Sequence, residues 1–140
     1  MKYTFEIKEK AIGKQRPRYC MKTGKVYTPT ATRTFEEKVK WAFTGKYNIA
    51  TIISTKPFKA KITAIFEPPK STSKKKREEM LSKLTYTNKP DADNIAKIIL
   101  DSLNGIVYKD DSQVSTLIVL KDYGEENKII VELEEIEGEC

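Results

Sequence analysis

The sequence contains no histidine. That removes the commonest general base at neutral pH and every zinc site that needs an imidazole, so any catalysis must rest on carboxylates, lysine, tyrosine or a bound metal. Cysteine is nearly absent as well. Cys20 and Cys140 are the only two, and neither sits in a Cys-x-x-Cys pair. A disulfide framework and a thiolate zinc site are thereby excluded, and a cytoplasmic location is the default expectation. No apolar run approaches the ~18 residues of a membrane span. The first ten residues alternate charge with Tyr3, Phe5 and Ile7, unlike the apolar core of a signal peptide. With 140 residues the chain is long enough for one domain with a real core and short of two.

What is present is basic charge, unevenly placed. Residues 1–121 hold 25 Lys/Arg against 12 Asp/Glu, whereas residues 122–140 hold one Lys against eight acids. A strongly positive body with an acidic tail points to a polyanionic partner, nucleic acid above all. The basic residues cluster in two stretches. One is Lys14-Gln15-Arg16-Pro17-Arg18-Tyr19 with Lys22 and Lys25; the other runs from Lys70 through Lys74, Lys75, Lys76 and Arg77 to Lys83 and Lys89.

Hydrophobic periodicity predicts an α+β fold, a mixed sheet of about four strands with two main helices. Alternation marks strands at Lys2–Lys8 and Phe58–Phe66, and further strands are expected near Val114–Lys121 and Lys128–Glu134. Tyr123–Asn127 reads as a hairpin turn between the last two. Residues 10–31 read as irregular and Ile106–Tyr108 as a short extended piece. One helix is expected from Thr32 or Thr34 to about Tyr47, with Phe35, Val39, Ala42 and Phe43 inward. A second runs from about Asp93 to Asn104 on an Ile95, Ile98, Ile99, Leu103 stripe and stops at Gly105. A short basic helix fits Ser73–Leu84, capped by Ser71 or Ser73.

Aspartates gather at Asp91 and Asp93, then at Asp110 and Asp111. Asp-x-Asp-Asn before a helix is ordinarily a capping device. The spacing offers a second reading. A helix from Asp93 to Asn104 covers roughly 17 Å, and an extended return from Gly105 to Asp111 covers roughly 20 Å. That is enough to carry Asp110 or Asp111 back to the helix start. Carboxylates so crowded repel one another, and Mg²⁺, or Mn²⁺ in its place, is the natural remedy, a hard ion that suits oxygen ligands and phosphodiester hydrolysis. Lys97 shares a helical stripe with Asp93 and Asp101, either as an ordinary surface ion pair or as a cation steadying phosphate charge.

The segments Lys89-Pro90-Asp91-Ala92-Asp93-Asn94-Ile95-Ala96-Lys97, Asp101-Ser102-Leu103-Asn104-Gly105 and Asp110-Asp111-Ser112-Gln113-Val114 together resemble the signature of the RusA family of Holliday junction resolvases. Arg16-Pro17-Arg18 and Tyr27-Thr28-Pro29 resemble the N-terminal part of that family more loosely. The resemblance implies a homodimeric, Mg²⁺-dependent endonuclease, often encoded by phages or prophages, that cuts four-way branched DNA by paired incisions. Carried over by position, it makes Asp91, Asp93 and Asp111 metal-binding catalytic acids and Lys97 the essential lysine. Asp110 is an adjacent acid. In an extended segment Asp110 and Asp111 face opposite ways, and the resemblance favours Asp111. Lys14, Arg16, Arg18, Lys74, Lys75, Lys76 and Arg77 are the expected DNA-gripping residues, with Tyr19 and Tyr27 able to stack on bases. The rival readings are a flap or branched-DNA nuclease of different specificity, and a non-catalytic junction-binding module.

Overall fold

A computed structural model describes residues 1–14, 18–27, 29–48, 52–83 and 85–136. The strictest alternation in the sequence gives the central strand. Phe58, Ala60, Ile62, Ala64 and Phe66 are all buried on one face of β4 (Phe58–Phe66), because side chains two apart on a strand share a face. Around it lie β1 (Lys2–Ile7), β5 (Val114–Tyr123) and β6 (Lys128–Glu135), in the order β1-β6-β4-β5. β4 and β5 run parallel and the other neighbours antiparallel, so the sheet is mixed as expected.

The helices are α1 (Thr30–Tyr47), α2 (Lys74–Lys83) and α3 (Ala92–Ser102). Phe35, Val39 and Phe43 of α1 are buried, and Phe43 meets Tyr3 and Phe5 of β1 edge-on. Ile95, Ile98 and Ile99 of α3 complete the same core with Ile129, Val131 and Leu133 of β6. The basic helix α2 begins after Ser73, whose hydroxyl accepts from Lys76 N. No helix among the described residues is long and apolar enough to cross a membrane.

Several local expectations are corrected. The stretch read as irregular contains a two-stranded ribbon, β2 (Arg18–Tyr19) against β3 (Val26–Tyr27), too short for alternation to reveal. Ile106 and Val107 lie in a turn rather than an extended piece. Tyr123–Asn127 is not a hairpin turn, since β4 stands between β5 and β6. The chain leaving β5 must therefore cross the end of β4. Gly124 makes that crossing, donating from its N–H to Phe66 O at 3.0 Å. A Cβ on Gly124 would lie 2.3 Å from Ile65 Cγ2, so the crossing needs glycine.

Three acids of the C-terminal stretch, Glu132, Glu134 and Glu135, lie in β6. On the sheet's open face Glu132 stands opposite Lys61 of β4, and Glu134 is flanked by Lys59 of β4 and Lys2 of β1. Lys2 also reaches Glu132 at 3.8 Å. These acids balance the lysines of the open face, which leaves the net basic charge to α2 and to the ribbon.

Candidate active site

The first half of the site is the entry to α3. Asp91 is the residue before the helix and its carbonyl accepts from Ile95 N at 3.1 Å, yet its carboxylate makes no capping hydrogen bond. Lys89 Nζ holds both carboxylate oxygens instead, at 3.0 and 3.1 Å. The segment leading in is braced by Tyr86. Its ring stacks on Phe66 with centroids 3.8 Å apart, Tyr123 meets it edge-on, and its hydroxyl donates to Lys89 O at 2.8 Å. The buried side of α3, Ile95, Ala96, Ile98 and Ile99, turns Asp93 and Lys97 outward into solvent. Neither makes an ion pair among the described residues, so the i,i+4 pairing open to Lys97 is not formed.

The second half lies at the other end of the same helix. Gly105 adopts φ +76° and donates to Tyr108 O at 2.8 Å, which reverses the chain at once. Tyr108 is fully buried, packs its ring edge-on to Phe58 and donates its hydroxyl to Leu100 O at 2.6 Å. Burial pushes this phenol far up, helped by the nearby charges of Asp111, Asp101 and Asp110, so it stays a neutral strut.

A single 3-10 turn, Asp111–Gln113, then follows. Asp110 caps it by accepting from Ser112 N at 3.1 Å, while Gln113 Oε1 accepts from Asp110 N and Lys109 N. Hydrogen bonds from Ser112 hold the Asp110 carboxyl below the usual carboxylate range. Asp111 is the first residue of the turn itself. Partial burial raises its carboxyl, and so does the Asp101 carboxyl within hydrogen-bond reach of it.

On the return path Asp111 meets Asp101, which lies in the last turn of α3. Asp93 and Asp101 are eight residues apart on α3, about 12 Å along its axis. Among the described residues no three Asp, Glu or Cys groups stand close enough to hold one ion together. The donor set nonetheless suits a hard divalent cation. It is all carboxylate oxygen, and the Asp101–Asp111 contact is a like-charge meeting that such a cation relieves. Asp101 is the residue that sequence reasoning passed over. Its place eight residues after Asp93 read as a surface stripe, and nothing local signals its meeting with Asp111.

The expected DNA-gripping residues divide. Lys74, Lys75 and Lys76 are exposed on α2 with Arg77 half-buried beside them, and Arg18 is exposed on β2. Arg16 lies outside the described residues. Lys14 is turned inward, its Nζ 3.1 Å from Glu36 Oε2 and 3.6 Å from Asp101 Oδ2. On the ribbon Tyr19, Met21, Val26 and Tyr27 are exposed beside Arg18, Lys22 and Lys25, a mixture of apolar and cationic groups.

The protein is a mixed-sheet α+β domain with a histidine-free acidic face along one helix and basic elements on either side of it in the chain. Residues 9–134 match the family of endodeoxyribonuclease RusA, and the chain belongs to that family of DNA endonucleases. It is also similar to the uncharacterized protein YqaN of Bacillus subtilis (strain 168), with 35% identity over 137 residues, 94% of this chain and 95% of that one.

Proposed function

We propose that this protein is a Mg²⁺-dependent endodeoxyribonuclease that resolves Holliday junctions in DNA recombination and repair, working as a homodimer. The observation that carries the reading is the conduct of Asp91. It sits where a helix cap belongs and does not cap; its carboxylate is held only by the exposed Lys89, a surface pair weak enough for a divalent cation to displace. Asp91, Asp93 and Asp111 are the residues that would hold Mg²⁺, with Mn²⁺ as a substitute and Asp110 committed to its turn. A divalent ion held there supplies charge neutralisation and a water of lowered pKa for attack on phosphorus. The chain's own groups do the rest. Lys97, exposed on the same helix and unpaired among the described residues, stands ready to offset charge building on the phosphate in the transition state. The lysines of α2 and the cations of the ribbon hold backbone phosphates. Tyr19 and Tyr27 provide faces for unstacked bases at a crossover.

The homodimer reading draws support from β5. It is an edge strand whose outer backbone edge pairs, among the described residues, with Thr85 and Tyr86, at Asp122 and Lys121. Ser115–Leu120 carries no charge, and Leu117, Ile118 and Leu120 are exposed. The opposite edge, β1, carries Lys2 and Glu6. A four-way junction has approximate two-fold symmetry, so a C2 pair presents one site to each of two opposed strands.

The deciding experiment incubates purified protein with a labelled immobile four-way junction and, separately, a flap substrate, with Mg²⁺ and with EDTA. Paired symmetric cuts in the junction, abolished by EDTA and by Asp93→Asn, are expected. Tight binding without cutting would overturn the enzyme reading, and equal cutting of junction and flap the resolvase one.

A further inference from the structure

We propose that Lys14 is a positioning residue of the active site: it fixes the Asp101 carboxylate, and Asp101 in turn sets the place of the Asp111 carboxylate as a metal ligand. The inference rests on the metal-nuclease reading above.

Lys14 opens a basic loop, and by sequence it belongs with the DNA-gripping cations. Its environment is different. Only 20% of its side chain is exposed, against 18% for Glu36 and 24% for Asp101. A lysine meant for a phosphate keeps its ammonium in water, as the α2 lysines do. This one spends its charge on two carboxylates from two different helices. Its backbone is anchored as well. Lys14 N donates to Asn94 O at 3.2 Å, and Gly13 lies so close to α3 that a Cβ there would sit 3.1 Å from Asn94 Cβ and 3.3 Å from Pro90 Cβ. The residues just before the loop are thus laid along the helix that carries Asp91, Asp93 and Lys97.

The ammonium links three elements: the segment after β1, Glu36 of α1 and Asp101 of α3. Beyond Asp101 the chain of contacts continues to Asp111 on the 3-10 turn. Without Lys14, the carboxylates of Glu36 and Asp101 would lose the cation they share, and Asp101 would turn away. Asp111 would then lose the neighbour that fixes its rotamer. Groups that orient a metal's ligands from outside are typically worth about 10–100-fold in metal affinity or activity.

The test measures Mn²⁺ binding to the DNA-free protein by titration calorimetry and by the loss of the free-ion EPR signal. Junction affinity is measured in EDTA. Lys14→Met is expected to weaken Mn²⁺ binding about 10-fold or more with junction affinity unchanged, and Lys14→Arg to recover most of the loss. Asp101→Asn, isosteric and on the helix surface, should give the same loss, and the Lys14→Met/Asp101→Asn double variant no more than the worse single one. Should Lys14→Met fail to fold by circular dichroism, Asp101→Asn carries the decision alone. Unchanged Mn²⁺ affinity in Asp101→Asn, or a Lys14→Met that loses junction affinity and keeps its metal, would overturn the proposal. Wild-type protein that takes up no Mn²⁺ would overturn the metal-site reading itself and this inference with it.

Discussion

Replacing Asp91 by Asn separates a structural carboxylate from a chemical one. Asn caps a helix about as well as Asp, and Asp91 makes no capping bond to lose. What the substitution removes is the pair with Lys89, whose side chains are 85% and 51% exposed, and a charge at the helix N-terminus. An exposed pair is worth about 0–1 kcal/mol and the dipole interaction about 0.3–1 kcal/mol, both screened by salt. The expected loss of stability is therefore about 1 kcal/mol. For a domain of this size that lowers Tm by about 2–5 °C. Loss of a direct metal ligand should cost more than loss of an outer-shell partner, so junction cleavage should fall by at least about 100-fold. Thermal melting by circular dichroism and single-turnover cleavage of a labelled junction, on the same preparation, give both numbers. A Tm lowered by ~15 °C, or cleavage within a few-fold of wild type, would show that the carboxylate serves the fold or nothing at all.

Four further outcomes are expected. Lys97→Ala should lower the single-turnover rate while leaving junction affinity within about twofold, and an unchanged rate would remove it from the chemistry. Changing Lys74, Lys75 and Lys76 together to Gln should reduce the slope of log affinity against log salt by up to about three; an unaltered slope would take α2 off the DNA. Gly124→Ala should destabilise by about 1–3 kcal/mol through overpacking against Ile65, with the Gly124→Ala/Ile65→Ala double variant recovering part of that loss in urea unfolding. Ile118→Lys should shift sedimentation from dimer to monomer; a dimer left intact would place the interface elsewhere.

Much of the fold is legible because burial imposes period. Phe58–Phe66 alternates without a break and β4 has those same bounds, and the Ile95, Ile98, Ile99 stripe places α3 correctly. Pairing is less legible, since nothing in Val114–Glu135 says that a strand from residues 58–66 will stand between its two halves. Gly124 is the local trace of that insertion, and it reads equally well as an ordinary turn glycine. The site divides the same way. Asp91, Asp93, Lys97 and Asp111 stand out because they are close in sequence and chemically unusual there. Asp101 and Lys14 do not, because their partnership joins positions far apart in the chain and each is commonplace where it stands.

The bare outer side of β5 bears on how the protein survives as well as on how it pairs. Ser115–Leu120 has no charge, no proline and three exposed aliphatic side chains, the composition that recruits any passing strand into a growing sheet. If the proposed dimer forms along this edge, a lone copy is at its most adhesive before a twin covers that side. Pairing of two copies there would then shield each from unrelated chains as well as complete the enzyme.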